Sequence, residues 1–108
     1  MSRSFKPLTS AEVKKRLQKH PRWRVGKNKI TIKLEFANFV EAFAFLKKVA
    51  KVAEEVKHHP NIYNSYKIVR LEIFTHDIEG LSTADVRLVQ ELDPLIHDSN
   101  RRKGGKID

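Results

Sequence analysis

The chain has 108 residues, of which 40% are hydrophobic and 32% charged, and its formal net charge is +9. This length fits one domain, and the balance of residue types is that of a globular protein rather than a disordered or membrane one. The absence of cysteine excludes disulfides and thiolate metal sites, so only His, Asp and Glu remain as metal ligands. No apolar run reaches the roughly 18 to 20 residues needed to span a bilayer, and the N-terminus lacks the apolar segment of a signal peptide. The cytoplasm is therefore the expected location.

The basic residues are scattered along the chain, with one cluster near the C-terminus that comprises Arg101, Arg102, Lys103 and Lys106. Scatter of this kind is typical of a solvated surface, so nucleic-acid binding is not predicted. We expect one domain over residues 1–100 and a basic, mobile tail over residues 101–108, where Gly104 and Gly105 lie among the basic residues.

The first predicted element is a short helix over Ser10–Lys19. Thr9 and Glu12 have the spacing of a capping box, and Pro21 helps to end the helix. From Trp23 the apolar period changes to two, through a turn at residues 26–28. Alternation of this kind predicts a β-hairpin with one buried face, formed by Trp23, Val25, Ile30, Ile32, Leu34 and Phe36.

A long helix over Phe39–Lys57 is the next predicted element. Asn38 and Glu41 repeat the capping pattern, and no Gly or Pro interrupts the chain before Pro60. Its apolar residues cover about half of the helical circumference, which suits a helix lying across a sheet. They are Phe39, Ala42, Phe43, Phe45, Leu46, Val49, Ala50, Val52, Ala53 and Val56.

The segment Tyr63–Thr75 is rich in β-branched and aromatic residues, and it predicts one long strand or two strands joined at a bend. Gly80 marks a turn, and Ser82 and Asp85 suit the start of a last helix. This order of helices and strands indicates an α+β fold, with the helices packed on one face of an antiparallel sheet.

Three of the five histidines lie where predicted elements end: His58 and His59 after the long helix and His76 after the strand. Glu54 precedes His58 by four residues, so the two would share a helical face and the carboxylate could hold the imidazole. An imidazole can donate and accept protons near neutral pH. A dehydration needs this property, because one group protonates the departing hydroxyl while another removes a proton.

Two other interpretations of the histidines are open. A histidine at a helix C-terminus can cap the last carbonyls, which is the role predicted for His20 and His97. His58, His59, His76 and Glu54 could also ligate zinc. Adjacent residues seldom present both rings to one ion, however, and no standard spaced motif is present, so a metal site is disfavoured.

The pattern of these residues resembles the pterin-4a-carbinolamine dehydratases. The resemblance extends from about Leu8 to Leu92 and rests on residue types and their spacing. Five residues separate Pro60 from Tyr66, nine separate Tyr66 from His76, and eight separate His76 from Asp85. The remaining matching positions are Glu54, His58, His59, Thr75, Gly80, Leu81, Leu8, Thr9, Trp23, Phe36, Ala42, Phe43, Ala44, Phe45, Leu46, Val49 and Ala50.

The resemblance implies a four-stranded antiparallel sheet with three helices on one face, in the order α-β-β-α-β-β-α. It also implies removal of water from a 4a-hydroxytetrahydropterin to give the quinonoid dihydropterin, without a metal or redox cofactor. By this resemblance His58 and His76 form the acid–base pair, and His59 binds and orients the pterin.

The same resemblance gives roles to residues around the histidines. Glu54 would support the histidine site, and Thr75 would contact the pterin ring by a main-chain or hydroxyl group. Asp85 would either belong to the pterin site or start the last helix and brace the loop of His76. Trp23 and Tyr66 also match family positions, although large aromatic residues in so small a sheet are more often part of the core. Core positions are therefore predicted for both.

Two further expectations concern positions that differ from the family pattern and the binding of other protein chains. Ile62 and Phe74 depart from the residues common in the family at these positions, which bears on pterin affinity. Some relatives also act as dimerisation cofactors for a transcription factor, so a protein-binding role with little turnover is the alternative function. By the same resemblance we expect a homodimer or homotetramer.

Overall fold

The computed structural model describes the backbone of residues 5–103 and 106–107 and the side chains of residues 5–96. The elements occur in the following order: β1 (Pro7–Leu8), α1 (Ser10–Arg16), β2 (Arg24–Val25), β3 (Ile30–Glu35), α2 (Phe39–Val56), β4 (Asn61–Ser65), β5 (Ile68–Ile73), β6 (Leu81–Ser82), α3 (Thr83–Lys103) and β7 (Lys106–Ile107). The predicted α+β class is confirmed: the described residues form three α-helices and an antiparallel sheet of four main strands, to which the two-residue β7 is added beside β3.

The four strands of the main sheet lie in the order β2-β3-β5-β4, and every neighbouring pair is antiparallel. The segment predicted as one or two strands forms the β4–β5 hairpin. Its two-residue turn contains Tyr66, whose φ of 55° is in the left-handed region. Two short ladders were not predicted: β1 pairs with β6, and β7 pairs with β3 beside Leu34 and Glu35.

The alternating residues of β3 and β5 account for the position of the core. Ile32 and Leu71 are directly paired and both are buried, whereas the neighbouring Lys33 and Arg70 are exposed on the other face. Period-two alternation places the apolar side chains of both strands on one face of the sheet. All three helices contribute to the same buried cluster, through Val13, Phe45, Leu88 and other residues. The helices therefore cover one face of the sheet.

Helix α2 ends at Val56, one residue before the predicted end, because Lys57 adopts the left-handed conformation with φ 59° and ψ 40°. Its buried side is narrower than the apolar pattern predicts. Ala42, Phe45, Val49 and Ala53 are buried, whereas several other residues of the stripe, among them Phe39 and Phe43, are exposed. The sheet and α3 cover only part of the apolar surface of α2.

The other two helices differ from the prediction mainly at their ends. Helix α1 has the predicted capping box at Thr9 but ends at Arg16 rather than Lys19. Helix α3 continues through Lys103, and residues 106–107 form β7, so part of the segment predicted as a mobile tail has regular backbone structure. Residues 104, 105 and 108 lie outside the described part of the chain, as does the side chain of His97.

The predicted core position of Tyr66 and the predicted capping role of His20 are both wrong. Tyr66 is exposed at the hairpin turn, whereas Trp23 is buried in the core as predicted. The ring of His20 binds a side chain instead of capping the last carbonyls of α1: its Nδ1 lies 2.9 Å from Oδ2 of Asp93. Trp23 donates its indole N–H to the other oxygen of Asp93 at 2.9 Å. This pairing ties the segment after α1 to α3.

Among the described residues, no helix is both long enough and apolar enough to cross a membrane.

We expect Thr9→Ala to lower the free energy of unfolding by about 1 kcal/mol, because the side chain of Thr9 accepts the N–H of Glu12 and closes the capping box. The backbone N–H and the hydroxyl of Thr9 hold the pKa of Glu12 below its ordinary value. The ionised Glu12 carboxylate therefore stabilises the folded state fully at pH values above the pKa that the carboxyl has in the unfolded chain. This stabilisation is lost as the pH falls through the lower pKa of the folded state. Urea unfolding measures the change, with exposed Lys15→Ala as the control. Equal stability of the two variants would contradict the prediction.

Candidate active site

A cleft of about 940 Å³ lies where three parts of the fold meet: the C-terminal end of α2, the loop after β5 and the first turns of α3. This volume is within the range of about 300 to 1,000 Å³ that is usual for small-molecule sites. His58, His59 and His76 all line the cleft. The fold thus brings together the three histidines that were singled out in the sequence.

The left-handed conformation of Lys57 directs the chain out of α2 and into the cleft. After this turn the backbone N–H of His58 donates to the carbonyl of Ala53 at 3.1 Å, which satisfies a carbonyl at the helix end. His59 precedes Pro60, and a residue before proline favours an extended backbone. The two adjacent histidines therefore leave the helix along an extended segment, and their rings find different partners.

The ring of His58 is held by Asp85, not by the predicted partner Glu54. Nε2 of His58 lies 2.6 Å from Oδ1 of Asp85, and the exposed fractions of the two side chains are 16% and 0%. The prediction of a Glu54–His58 pair is wrong because it assumed that the helix continues to His58. The left-handed turn at Lys57 removes His58 from the helical face of Glu54.

The carboxylate of Asp85 accepts further hydrogen bonds on its second oxygen. Oδ2 accepts from the hydroxyl of Thr75 at 2.9 Å and from the backbone N–H of Ser82 at 2.8 Å. The hydroxyl of Ser82 lies 2.7 Å from that of Thr75, and it accepts the N–H of Ala84 at 3.1 Å. Asp85, Ser82 and Thr75 are all buried. A buried carboxylate thus joins β5, the start of α3 and the ring of His58.

His76 is held by a short loop that closes on itself. The N–H of Thr75 donates to the carbonyl of Gly80 at 2.8 Å, and residues 76–78 form one turn of 3-10 helix between them. The ring of His76 is exposed, and its centroid lies 4.3 Å from that of Phe74. Phe74, one of the residues that depart from the family pattern, therefore packs directly against a predicted catalytic ring.

His59 has a more open setting than His58. Its Nε2 lies 2.5 Å from Oε2 of Glu54, and the exposed fractions of the two side chains are 59% and 77%. Ion pairs in such exposed positions contribute little to stability, typically about 0 to 1 kcal/mol. The pair restricts where the ring of His59 points, but the ring stays accessible from the cleft.

The remaining predicted residues divide between the cleft and its support. Thr75 lines the cleft, but its N–H and its hydroxyl hydrogen are engaged with Gly80 and Asp85. Asp85 is fully buried behind His58 and lies in the first turn of α3. Ile62 is exposed and does not line the cleft.

Several residues of the site were not singled out in the sequence. Arg87 lines the cleft from the second turn of α3, and Lys57 and Asp77 also line it. Single charged residues in a basic chain give no signal by themselves. Ser82 was assigned only to a helix start, although its spacing to Asp85 is that of a capping pair. Among residues 5–96, no three His, Asp or Glu side chains are arranged to hold a metal ion.

The sequence was compared with protein families and with curated proteins. Residues 6–95 match the family described as pterin 4 alpha carbinolamine dehydratase. A protein of Burkholderia vietnamiensis, named provisionally as a pterin-4-alpha-carbinolamine dehydratase, is 43% identical over 88 residues, covering 80% of this chain and 86% of that protein. A protein of Prochlorococcus marinus with the same provisional name is 38% identical over 81 residues, covering 75% and 85% respectively.

Solved structures give the same result. The crystal structure of a transcriptional coactivator/pterin dehydratase from Brucella melitensis has a TM-score of 0.75 and 28% sequence identity, covering 83% of this chain and 98% of the other. A pterin dehydratase-like protein, described as a RuBisCO assembly factor in the alpha-carboxysome, has a TM-score of 0.56 and 25% identity, covering 68% and 87%. The match over residues 6–95 and these likenesses show that the chain belongs to the pterin-4a-carbinolamine dehydratase family.

Proposed function

We propose that this protein removes water from a 4a-hydroxytetrahydropterin to give the quinonoid dihydropterin. The observation that carries the proposal is the convergence of His58, His59 and His76 on one cleft, with His58 bound to a buried carboxylate, in a chain of this family. In the reaction the C4a–O bond breaks and the hydroxyl leaves as water after it gains a proton. The neighbouring ring nitrogen loses its proton, and the released electron pair forms the C=N double bond.

His58 and His76 are suited to these two proton transfers. Both line the same cleft and come from different parts of the chain, His58 after α2 and His76 on the loop after β5, which supports their acting on one bound ring. His58 is held by Asp85, and His76 is supported by contact with Phe74. Fixed rings of this kind lower the cost of orienting an acid and a base around one substrate.

His59 is suited to binding and orienting the pterin. Its ring is largely exposed, and Glu54 holds one of its nitrogens. Glu54 supports the site through His59 and does not itself line the cleft. The proposed role of Glu54 is therefore indirect.

Turnover tests the proposed reaction directly. The purified protein is mixed with freshly generated 4a-hydroxytetrahydropterin, and formation of the quinonoid dihydropterin is followed by absorbance. A rate above that in buffer alone is expected. A rate equal to that of buffer would refute the proposed function.

Substitution of His58 or His76 should lower kcat, whereas substitution of a histidine outside the cleft should not. We expect His58→Ala and His76→Ala each to lower kcat at least about 100-fold, the usual contribution of a general acid or base. His20→Ala is the matched control, because His20 also pairs with a largely buried carboxylate but lies in the segment after α1, outside the cleft. Circular dichroism checks that each variant is folded. Losses of the same size in all three variants would contradict the assigned roles.

A different kinetic pattern is expected for the pair formed by His59 and Glu54. A residue that binds substrate equally in the ground and transition states changes KM and leaves kcat largely intact. We therefore expect His59→Ala to raise KM with a small effect on kcat. Glu54→Gln should change KM less, by about 3-fold or less, because exposed ion pairs are weak. A fall in kcat for His59→Ala as large as that for His58→Ala would show that His59 transfers protons.

The second candidate function is protein binding, either to another copy of the chain or to a partner. The start of α2 exposes Phe39, Val40 and Phe43, and the two phenylalanine rings lie 5.4 Å apart. Exposed apolar residues grouped on one helix often mark an association surface. Two solved relatives are described as a coactivator and as an assembly factor. We propose that the exposed apolar surface at the start of α2 binds another copy of the chain and forms a homodimer or homotetramer.

Light scattering after size-exclusion chromatography tests the association. We expect the wild-type chain to be a dimer or tetramer that persists in high salt, because burial of apolar surface is not screened as charge pairs are. The double variant Phe39→Ser with Phe43→Ser should be smaller in mass, while Ala44→Ser, an exposed position on the same helix, should behave as wild type. A monomeric wild-type chain would rule out self-association.

A further inference from the structure

The contacts of Asp85 carry an inference about the chemistry of His58. Three groups converge on this carboxylate: the ring of His58 on Oδ1, and the hydroxyl of Thr75 with the N–H of Ser82 on Oδ2. A carboxylate has no hydrogen to give, so each of the three partners must be the donor. For His58 this means that the hydrogen of the neutral ring lies on Nε2.

The hydroxyl groups next to Asp85 have their directions set in the same way. The hydroxyl of Thr75 gives its hydrogen to Asp85, so in its contact with Ser82 the oxygen of Thr75 must accept. Ser82 therefore donates to Thr75 and accepts from the N–H of Ala84. Donation runs in one direction, from the first turn of α3 through Ser82 and Thr75 to Asp85. All three side chains are buried, so water does not compete for these bonds.

We propose that Thr75 and Ser82 are positioning residues that act through Asp85 and keep the hydrogen of neutral His58 on Nε2. Nδ1 is then the atom of His58 that exchanges a proton with a ligand in the cleft, and among the described residues no partner occupies it. The catalytic part of this inference rests on the proposed dehydratase function, whereas the position of the hydrogen does not.

The inference also reassigns Thr75. The family resemblance gave it a contact with the pterin ring, but its hydroxyl hydrogen and its N–H are both used inside the protein. A residue that orients a catalytic group affects the chemical step, whereas a residue that contacts substrate uniformly affects KM. The two roles for Thr75 therefore predict different kinetic effects of the same substitution.

The position of the hydrogen can be measured in the resting protein, without substrate. Long-range proton–nitrogen correlation NMR distinguishes a protonated ring nitrogen from an unprotonated one in a neutral imidazole. At a pH at which the ring is neutral, we expect His58 to carry hydrogen on Nε2. His20 is the control in the same molecule, because its Nδ1 faces Asp93 and should carry the hydrogen there. Hydrogen on Nδ1 of His58, or an even mixture of the two forms, would overturn the proposal.

Asp85→Asn provides the complementary test. Thr75 and Ser82 donate to one oxygen of Asp85, so the carbonyl of the asparagine should take that position and its amide should face His58. Nε2 would then have to accept, which moves the hydrogen of the ring to Nδ1. The NMR signature should reverse in this variant, and kcat should fall at least about 100-fold because the reacting nitrogen has the wrong protonation. An unchanged signature would count against control of His58 by Asp85.

Thr75→Val and Thr75→Ser separate positioning from substrate contact. Loss of a hydrogen bond to a charged group corresponds to about a tenfold or larger effect, so we expect Thr75→Val to lower kcat about 10-fold with little change in KM. Thr75→Ser keeps the hydroxyl and should restore kcat to within about 2-fold of wild type. A rise in KM with unchanged kcat would instead support the ring contact. A wild-type protein without turnover would refute the proposed function but leave the NMR test of the hydrogen position intact.

Discussion

The buried carboxylate of Asp85 is the interaction on which the cleft depends. Its removal from water is costly unless donors surround it, and the donors come from three separate parts of the chain. Because His58, Thr75 and Ser82 all bind this one group, the end of α2, the end of β5 and the start of α3 are fixed relative to one another. The same contacts that satisfy the carboxylate also build the wall of the cleft.

Among the described residues, Asp85 and Asp93 are both largely buried carboxylates that bind a histidine, but their surroundings differ. Asp93 is bound by His20 and by the indole of Trp23, and this cluster joins the segment after α1 to α3 outside the cleft that the three clustered histidines line. Asp85 binds a histidine whose ring is open to a cleft. A histidine paired with a buried carboxylate is thus not by itself a sign of catalysis. The space beside the ring makes the difference.

The sequence predicted the helices and strands well, because their signals are local. The capping residues Thr9 and Asn38 and the alternation through β3 give the elements directly. The pairing of side chains was predicted poorly. Glu54 was matched to His58 by helical spacing, but one left-handed residue ended the helix first. Asp85 lies 27 residues from His58, and no periodic pattern connects positions so far apart. The three histidines were found by their positions at element ends, and the family resemblance supplied the rest.

The left-handed residue at the end of α2 also affects how the site could be moved to another protein. An L-amino acid in this conformation costs about 1 to 2 kcal/mol, and the surrounding contacts must hold it there. A designer who copied Glu54 and the His-His-Pro triplet onto a continuous helix would place Glu54 beside His58 instead of its actual partner His59. The smallest transferable unit is instead the helix end at Lys57 together with the strand end and the first turn of α3. For this site, the backbone geometry is as much a part of the motif as the side chains.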